Sequence, residues 1–233
     1  MEIKITPKRL SLAFGLMVVA LLIAHVVTQT IRFATGDDFL LGLVPLFSVG
    51  SDGNLPTFYS AFAILFCAFL LTLIARASQS DRYLNIGYWY GMAVVFVFLS
   101  VDEMLMLHER AIEPLRAMFD ASGLFYYAWV LPYGIGVLVF AAIYTRFLFR
   151  LRRRTRVLFL AAGTIYVLGA IVVEMLSGLY FESHGGSNPT YVALQTIEET
   201  MEMSGIFIFI FALADYLDHQ FDGLLFVLSS RRS

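Results

Sequence analysis

Apolar residues in this chain gather into six long runs separated by short polar stretches. Neither the two-residue alternation of a half-buried strand nor the narrow stripe of a soluble helix describes them. The runs cover Leu10 to Thr30, Leu55 to Ala75, Leu84 to Leu107, Leu124 to Leu148, Val157 to Tyr180 and Val192 to Leu217. Each is near the ~20 residues that carry an α-helix across the hydrocarbon core of a bilayer. In that medium every backbone N–H and C=O must be satisfied within the segment, which selects helix. The pattern predicts an all-α fold, a six-transmembrane-helix bundle. Spans of this length leave little chain for a separate soluble domain, so residues 1–233 read as one integral membrane domain. Pro56 suits the first turn of the second helix, and Pro132 with Gly134 predicts a kink in the fourth. The first run is too long for the apolar region of a signal peptide and lacks a small-residue cleavage site, so it reads as a retained span.

Charge sets the orientation. Lys4, Lys8 and Arg9 precede the first span, and Arg76 and Arg82 separate the second from the third. Arg146, Arg150, Arg152, Arg153, Arg154 and Arg156 separate the fourth from the fifth, and Arg231 and Arg232 end the chain. With six spans these fall on one side, leaving only Arg32, Arg110 and Arg116 of the 16 basic residues on the other. The basic side is the cytoplasm, which places both the N-terminus and the C-terminus there. Tyr83, Tyr88, Trp89 and Tyr90 fit an inner aromatic belt, and Phe125, Tyr126, Tyr127 and Trp129 an outer one. The outer loop 33–54 is long and partly greasy (Phe39, Leu40, Leu41, Leu43, Val44, Leu46, Phe47) and is expected to lie on or dip into the outer interface, as a lid could.

Composition agrees: 59% of residues are hydrophobic, against about 45–50% in soluble domains. The single cysteine, Cys67, excludes an intramolecular disulfide and reads as a small core residue. Nucleic-acid binding is not expected; there is also no Walker motif and no lysine placed to anchor retinal. The acidic residues change the picture more. Only Glu2, Asp81, Asp215, Asp218 and Asp222 of the 18 lie on the inner side. The positive-inside rule does not demand acids outside, so the outer acidity needs its own explanation.

Those acids sit at one depth on several helices. Span three ends in Ser100-Val101-Asp102-Glu103 followed by His108-Glu109-Arg110, span five carries Glu174, and span six begins with Gln195, Glu198, Glu199 and Glu202. At ~1.5 Å per residue, Glu174 lies roughly 9 Å and Glu202 roughly 6 Å inside the outer ends of their spans, with Asp102 at a similar level. Ionisable groups at such depth are costly and normally face the bundle interior with partners. Gln195, Glu198, Glu199 and Glu202 share one helical face by their three- and four-residue spacings, and Asp102 and Glu109, seven apart, share another. Clustered carboxylates repel unless a cation, protons or arginines neutralise them, and three outer arginines are too few. Carboxylates and a histidine from facing helices make the ligand pattern of carboxylate-bridged di-metal bundles, although neither copy of their Glu-x-x-His motif is present. Such donors suit Zn, Fe, Mn or Mg. Asp102, His108, Glu109, Glu174, Glu198 and Glu202 are the expected divalent-metal ligands, with Glu103 or Glu199 as catalytic base.

Blander readings stand beside this one. Helix ends that emerge earlier would leave Asp102, Glu103, His108, Glu109, Glu198 and Glu199 among headgroups or in water. His25 reads alone as a hydrogen-bonded packing residue, and His184, in the Gly-rich stretch His184-Gly185-Gly186-Ser187-Asn188, as a solvated loop residue. His25, His108 and His184 with Ser100 or Asp102 also resemble the Ser/Asp/three-His arrangement of the alkaline ceramidase-like membrane hydrolases, but the paired-histidine spacing of that family is absent. Arg152–Arg154 reads as a topogenic signal in contact with anionic lipid.

Three motifs occur together: Asn54-Leu55-Pro56-Thr57-Phe58-Tyr59-Ser60, Leu99-Ser100-Val101-Asp102-Glu103 with His108-Glu109, and Glu198-Glu199 with Glu202-Met203-Ser204-Gly205. In these the chain resembles a family of bacterial polytopic membrane proteins of unassigned activity. The resemblance implies a bacterial inner membrane and no mechanism. Three functions remain open at this point. The first is a divalent-metal-dependent enzyme acting on a lipid or other apolar substrate. The second is a cation- or proton-coupled transporter. The third is a non-catalytic subunit or assembly factor of a larger membrane complex. Membrane lipids are the expected partners, and a homo-oligomer is also compatible with the sequence.

Overall fold

The structure is a computed structural model that describes residues 2–78, 86–221 and 224–227. Nine helices carry the chain among these residues: α1 (Pro7–Thr35), α2 (Leu43–Phe47), α3 (Leu55–Ala77), α4 (Ile86–Leu105), α5 (Leu107–Phe119), α6 (Val130–Arg150), α7 (Arg153–Val167), α8 (Glu174–His184) and α9 (Pro189–Phe221). A π-helical segment, Leu168–Val173, joins α7 to α8 without a break. Six helical stretches are long and apolar enough to cross a membrane: α1, α3, α4, α6, the continuous α7–α8 and α9. The expected six-helix all-α bundle is therefore what the chain forms. A short antiparallel pairing of β1 (Glu2–Ile5) with β2 (Leu224–Val227) joins the two ends of the chain. The ends thus lie together at one end of the bundle, called here the basic end; the other is the acidic end. Arg82, Tyr83, Leu84, Asp222, Arg231 and Arg232 lie outside the described residues.

Local chemistry sets the helix ends. Thr6 caps α1 by accepting from the Arg9 amide, and Gly36 closes it in the left-handed conformation, φ +74°. Asn54 caps α3 by accepting from Thr57 N–H, with Pro56 in the first turn where no intrahelical donor is needed. Pro132 likewise falls in the first turn of α6, because that helix begins at Val130 and not near Leu124. The kink expected there is not made, since Pro132 interrupts no hydrogen bond. The sharp break comes instead at Met106, φ +54°, where the third span stops and α5 turns away as an amphipathic helix. Spans five and six run on beyond their apolar cores, to His184 and from Pro189.

Helix α9 packs against α1, α3 and α7 and is the most buried of the six spans. Close approach to α7 depends on Gly205, where a Cβ would stand 2.8 Å from Tyr166 Cβ and 2.9 Å from the Ala162 carbonyl oxygen. The basic half of the bundle is a continuous apolar core that includes Leu70, Ile74, Trp89, Phe147, Ile206, Ile210 and Leu213. Trp89 and Tyr88 belong to that core and pack on Phe147 (centroids 4.9 and 5.1 Å), so of the expected inner-belt residues that are described only Tyr90 is exposed. Cys67 is fully buried, as expected of a small core residue. Aliphatic faces left outside, such as Leu12, Leu16, Ile23, Val94, Leu138 and Ile143, suit lipid.

Candidate functional site

The acidic end collects the polar side chains. At the Met106 break the chain folds back, so the His108 amide donates to Asp102 Oδ1 (3.1 Å) and His108 Nδ1 meets Asp102 Oδ2 (2.9 Å). Tyr133 donates its hydroxyl to Asp102 Oδ1 (2.7 Å). Both oxygens of Asp102 are engaged, and Asp102 and Glu109 no longer share a helical face, because the helix does not continue between them. The His108 ring packs on Trp129, centroids 4.9 Å apart. Its Nδ1 is held by Asp102, which leaves Nε2 for a ligand. A carboxylate behind a histidine in this way orients the ring and raises its basicity. Burial works against charge on His108, but the Asp102 hydrogen bond and charge, with Glu103 and Glu202, raise it to about 9.

The carboxyl groups pair with one another. Glu174 and Glu198 share a side-chain hydrogen bond. Trp129 Nε1 donates to Glu174 (3.0 Å), and Ser177 donates to Glu198 (3.3 Å). Glu202 lies close enough to the Tyr166 hydroxyl to interact with it. Glu199 feels the charges of Glu202, Glu103, Asp52 and Glu174. On the far side of the cleft Glu109 hydrogen-bonds Asp52. Burial, then that bond and the Asp52 charge, push the Glu109 carboxyl up to about 8. The side chains of Glu103, Glu174, Glu198, Glu199 and Glu202 are half-buried. Of the arginines at the acidic end, Arg32 pairs with Asp38 (2.6 Å) and Arg116 with Glu113 (2.5 Å), while Arg110 is exposed on α5. Among the described residues, no group of three or more His, Cys, Asp or Glu is arranged to hold a metal ion as it stands.

The π-helical segment and the greasy loop assemble this cleft. The π segment ends at Val173, one residue before Glu174, and its Gly169 lies where a Cβ would come within 3.0 Å of Glu198 O and 3.3 Å of Glu202 Cγ. Single π insertions of this kind re-aim side chains at functional sites. The loop after α1 folds back over the bundle. Asn54 donates to the carbonyls of Pro45 (3.1 Å), Ser48 (2.6 Å) and Ser51 (2.6 Å). Gln195 reaches Gly50 O (3.0 Å), and Val49 N–H donates to His25 Nδ1 (3.2 Å). The other ring nitrogen of His25 meets Thr196 Oγ1 (3.0 Å), so His25 is the hydrogen-bonded packing residue expected, and it pins this lid. Asp52 rides on the lid into the cleft. The lid's tip is left exposed, Phe39 to 64% and Leu41 to 95%.

Several groups escape a linear reading. Trp129 is buried against His108 instead of forming an outer belt, and Tyr127 hydrogen-bonds Tyr191 (2.7 Å). Asp52, Tyr133 and Tyr166 join the cleft through contacts made only by folding. The three-histidine hydrolase arrangement does not assemble: His25 binds the lid, His108 binds Asp102, and His184 is exposed and stacked on Tyr180 (4.4 Å). Ser100 donates to Ala61 O (2.8 Å) and packs α4 on α3. No curated protein and no solved structure matches the chain. A family profile does match residues 12–217, and the chain belongs to that family, described as Domain of unknown function (DUF8692).

Proposed function

We propose that the acidic cleft binds a divalent cation and that the chain is a metal-dependent membrane enzyme of the bacterial inner membrane, acting on a lipid or another apolar substrate. One observation carries this reading: eight carboxyl groups (Asp52, Asp102, Glu103, Glu109, Glu174, Glu198, Glu199, Glu202) lie within electrostatic reach of one another, with His108 as the basic group among them. Two carboxyls hydrogen-bond each other only while they share a proton, and a cation can take that proton's place by recruiting the same oxygens. His108 Nε2 with Glu109, Glu174, Glu198 and Glu202 would hold the ion, while Asp102 and Tyr133 keep the imidazole in position. Glu103 or Glu199 is then free to accept a proton. The chemistry a bound ion supplies is polarisation of a substrate oxygen or a lowered pKa for water. Exposed Phe39, Leu41, Leu105 and Leu124 at the acidic end suit approach of an apolar substrate from the bilayer. The test is elemental analysis of protein purified without chelator. Wild type is expected to carry near-stoichiometric Zn, Fe or Mn, and the variant Glu174→Gln plus Glu202→Gln, eluting as the same monodisperse species, to lose it. Equal metal in both, or none in wild type after reconstitution with each ion, rejects the reading.

A second reading, a proton- or cation-coupled transporter, draws on the shared-proton pairs Glu174–Glu198 and Asp52–Glu109. Against it, the chain immediately below Glu202 is closed by Met203, Ile206, Ile210 and Leu213, each buried. Proteoliposome flux abolished by the same double substitution would favour transport over catalysis.

A further inference from the structure

A second polar site lies at the opposite, basic end, between the start of α7 and the end of α9. There a cavity of about 220 Å³ is lined by Arg152, Arg154, Thr155, Tyr216, His219 and Gln220, with Asp215 at its wall. That is several times the ~30 Å³ share of one water. We propose that this cavity binds a phosphate group, in the membrane the headgroup phosphate of an anionic phospholipid.

Four features converge on that chemistry. Helix α7 starts here with no side-chain cap at Arg152, and its first intrahelical donor is Arg156 N–H, to Arg152 O at 3.0 Å. The amides of Arg153, Arg154 and Thr155 are therefore unpaired within the helix, the arrangement that receives oxyanions. Second, Thr155 is only 4% exposed, yet its hydroxyl lines the cavity and makes no hydrogen bond among the described residues. A ligand in the cavity can supply the partner that this hydroxyl lacks. Third, the charge balance favours an anion. Arg154 is held side-on by the buried Asp215 carboxylate (Nε to Oδ2 3.0 Å, Nη2 to Oδ1 2.9 Å), which cancels that pair, while Arg152 makes no ion pair among the described residues. His219 donates Nδ1–H to Asp215 O (2.9 Å), so its Nε2 is the nitrogen left over. Fourth, the surroundings favour a lipid over a soluble phosphate. Phe149 and Val157, immediately before and after the turn, are exposed apolar residues, and Arg156 lies over the Phe149 ring at 5.1 Å. The cavity thus opens where the lipid-facing surface begins, at the end of the bundle where the sequence gathers its arginines.

The experiment uses the full chain in neutral detergent, with phosphatidylglycerol, phosphatidylcholine or inorganic phosphate added, read by native mass spectrometry and thermal unfolding. Wild type is expected to retain phosphatidylglycerol and to melt at higher temperature with it than with phosphatidylcholine. Arg152→Ala and the isosteric Thr155→Val, which leave the Arg154–Asp215 pair intact, are expected to bind phosphatidylglycerol about fivefold more weakly each. An equal shift with inorganic phosphate alone supports the site and assigns it to a free phosphate. Equal binding of both lipids, or full phosphatidylglycerol affinity in both variants, overturns the proposal. If one variant fails to fold, the other carries the comparison.

Discussion

Replacing Gly205 by alanine tests how the cleft is held together. The added Cβ would stand 2.8 Å from Tyr166 Cβ and 2.9 Å from both Tyr166 N and Ala162 O. Carbon atoms rest at about 3.5–4.0 Å, and the atoms met are backbone or β-carbon, which no side-chain rotation moves. Helices α7 and α9 must therefore part by about 1 Å, at a cost of about 1–3 kcal/mol for overpacking. Alanine returns up to about 1 kcal/mol in helix propensity over glycine, so the net expectation is a loss of about 1–2 kcal/mol. The internal control is Gly163→Ala on the facing helix, where nothing lies within 4 Å of the added carbon. It gains the propensity without the clash and is expected to melt at or above wild type. Thermal unfolding of the three proteins in one detergent separates the two terms. The parting also pulls Tyr166 from Glu202, so Gly205→Ala is expected to hold added metal more weakly. If Gly205→Ala melts as high as Gly163→Ala, the close approach of α7 and α9 is not what positions the acidic helix.

Asn54→Ala removes three bonds to the lid and the cap of α3; it is expected to cost about 1–2 kcal/mol and to speed amide hydrogen exchange across 45–54, and unchanged exchange there would count against the lid. In metal-free protein, stability is expected to fall with rising pH. His108, raised to about 9, contributes fully below ~6.5 and loses its contribution through 9, while Glu109, raised to about 8, holds in the fold a proton that the unfolded chain releases from ~4.5 upward. Unfolding temperatures in chelator from pH 5 to 10 should decline throughout, and His108→Gln should flatten the upper part; a stability that rises with pH refutes the assignment.

The chain's apolar runs were enough to determine six spans, because a bilayer accepts only segments that satisfy their own backbone, and this is a local property of about 20 residues. The even number of crossings, the helix-borne acids on spans three, five and six, and the packing role of His25 were legible for the same local reason. Helix ends were less so: the break at Met106 and the start of α6 at Val130 follow from backbone conformations that hydropathy does not encode. The composition of the cleft was decided by tertiary structure alone. Glu174 faces Glu198 because a π segment turns the helix beneath it, and Asp52 arrives on a lid held by Asn54, Gln195 and His25. Trp129 leaves its apparent belt to cover His108, and Tyr166 reaches Glu202 across a contact that Gly205 permits. Each depends on helix rotation and interhelical distance, and those are set by packing between residues far apart in the chain.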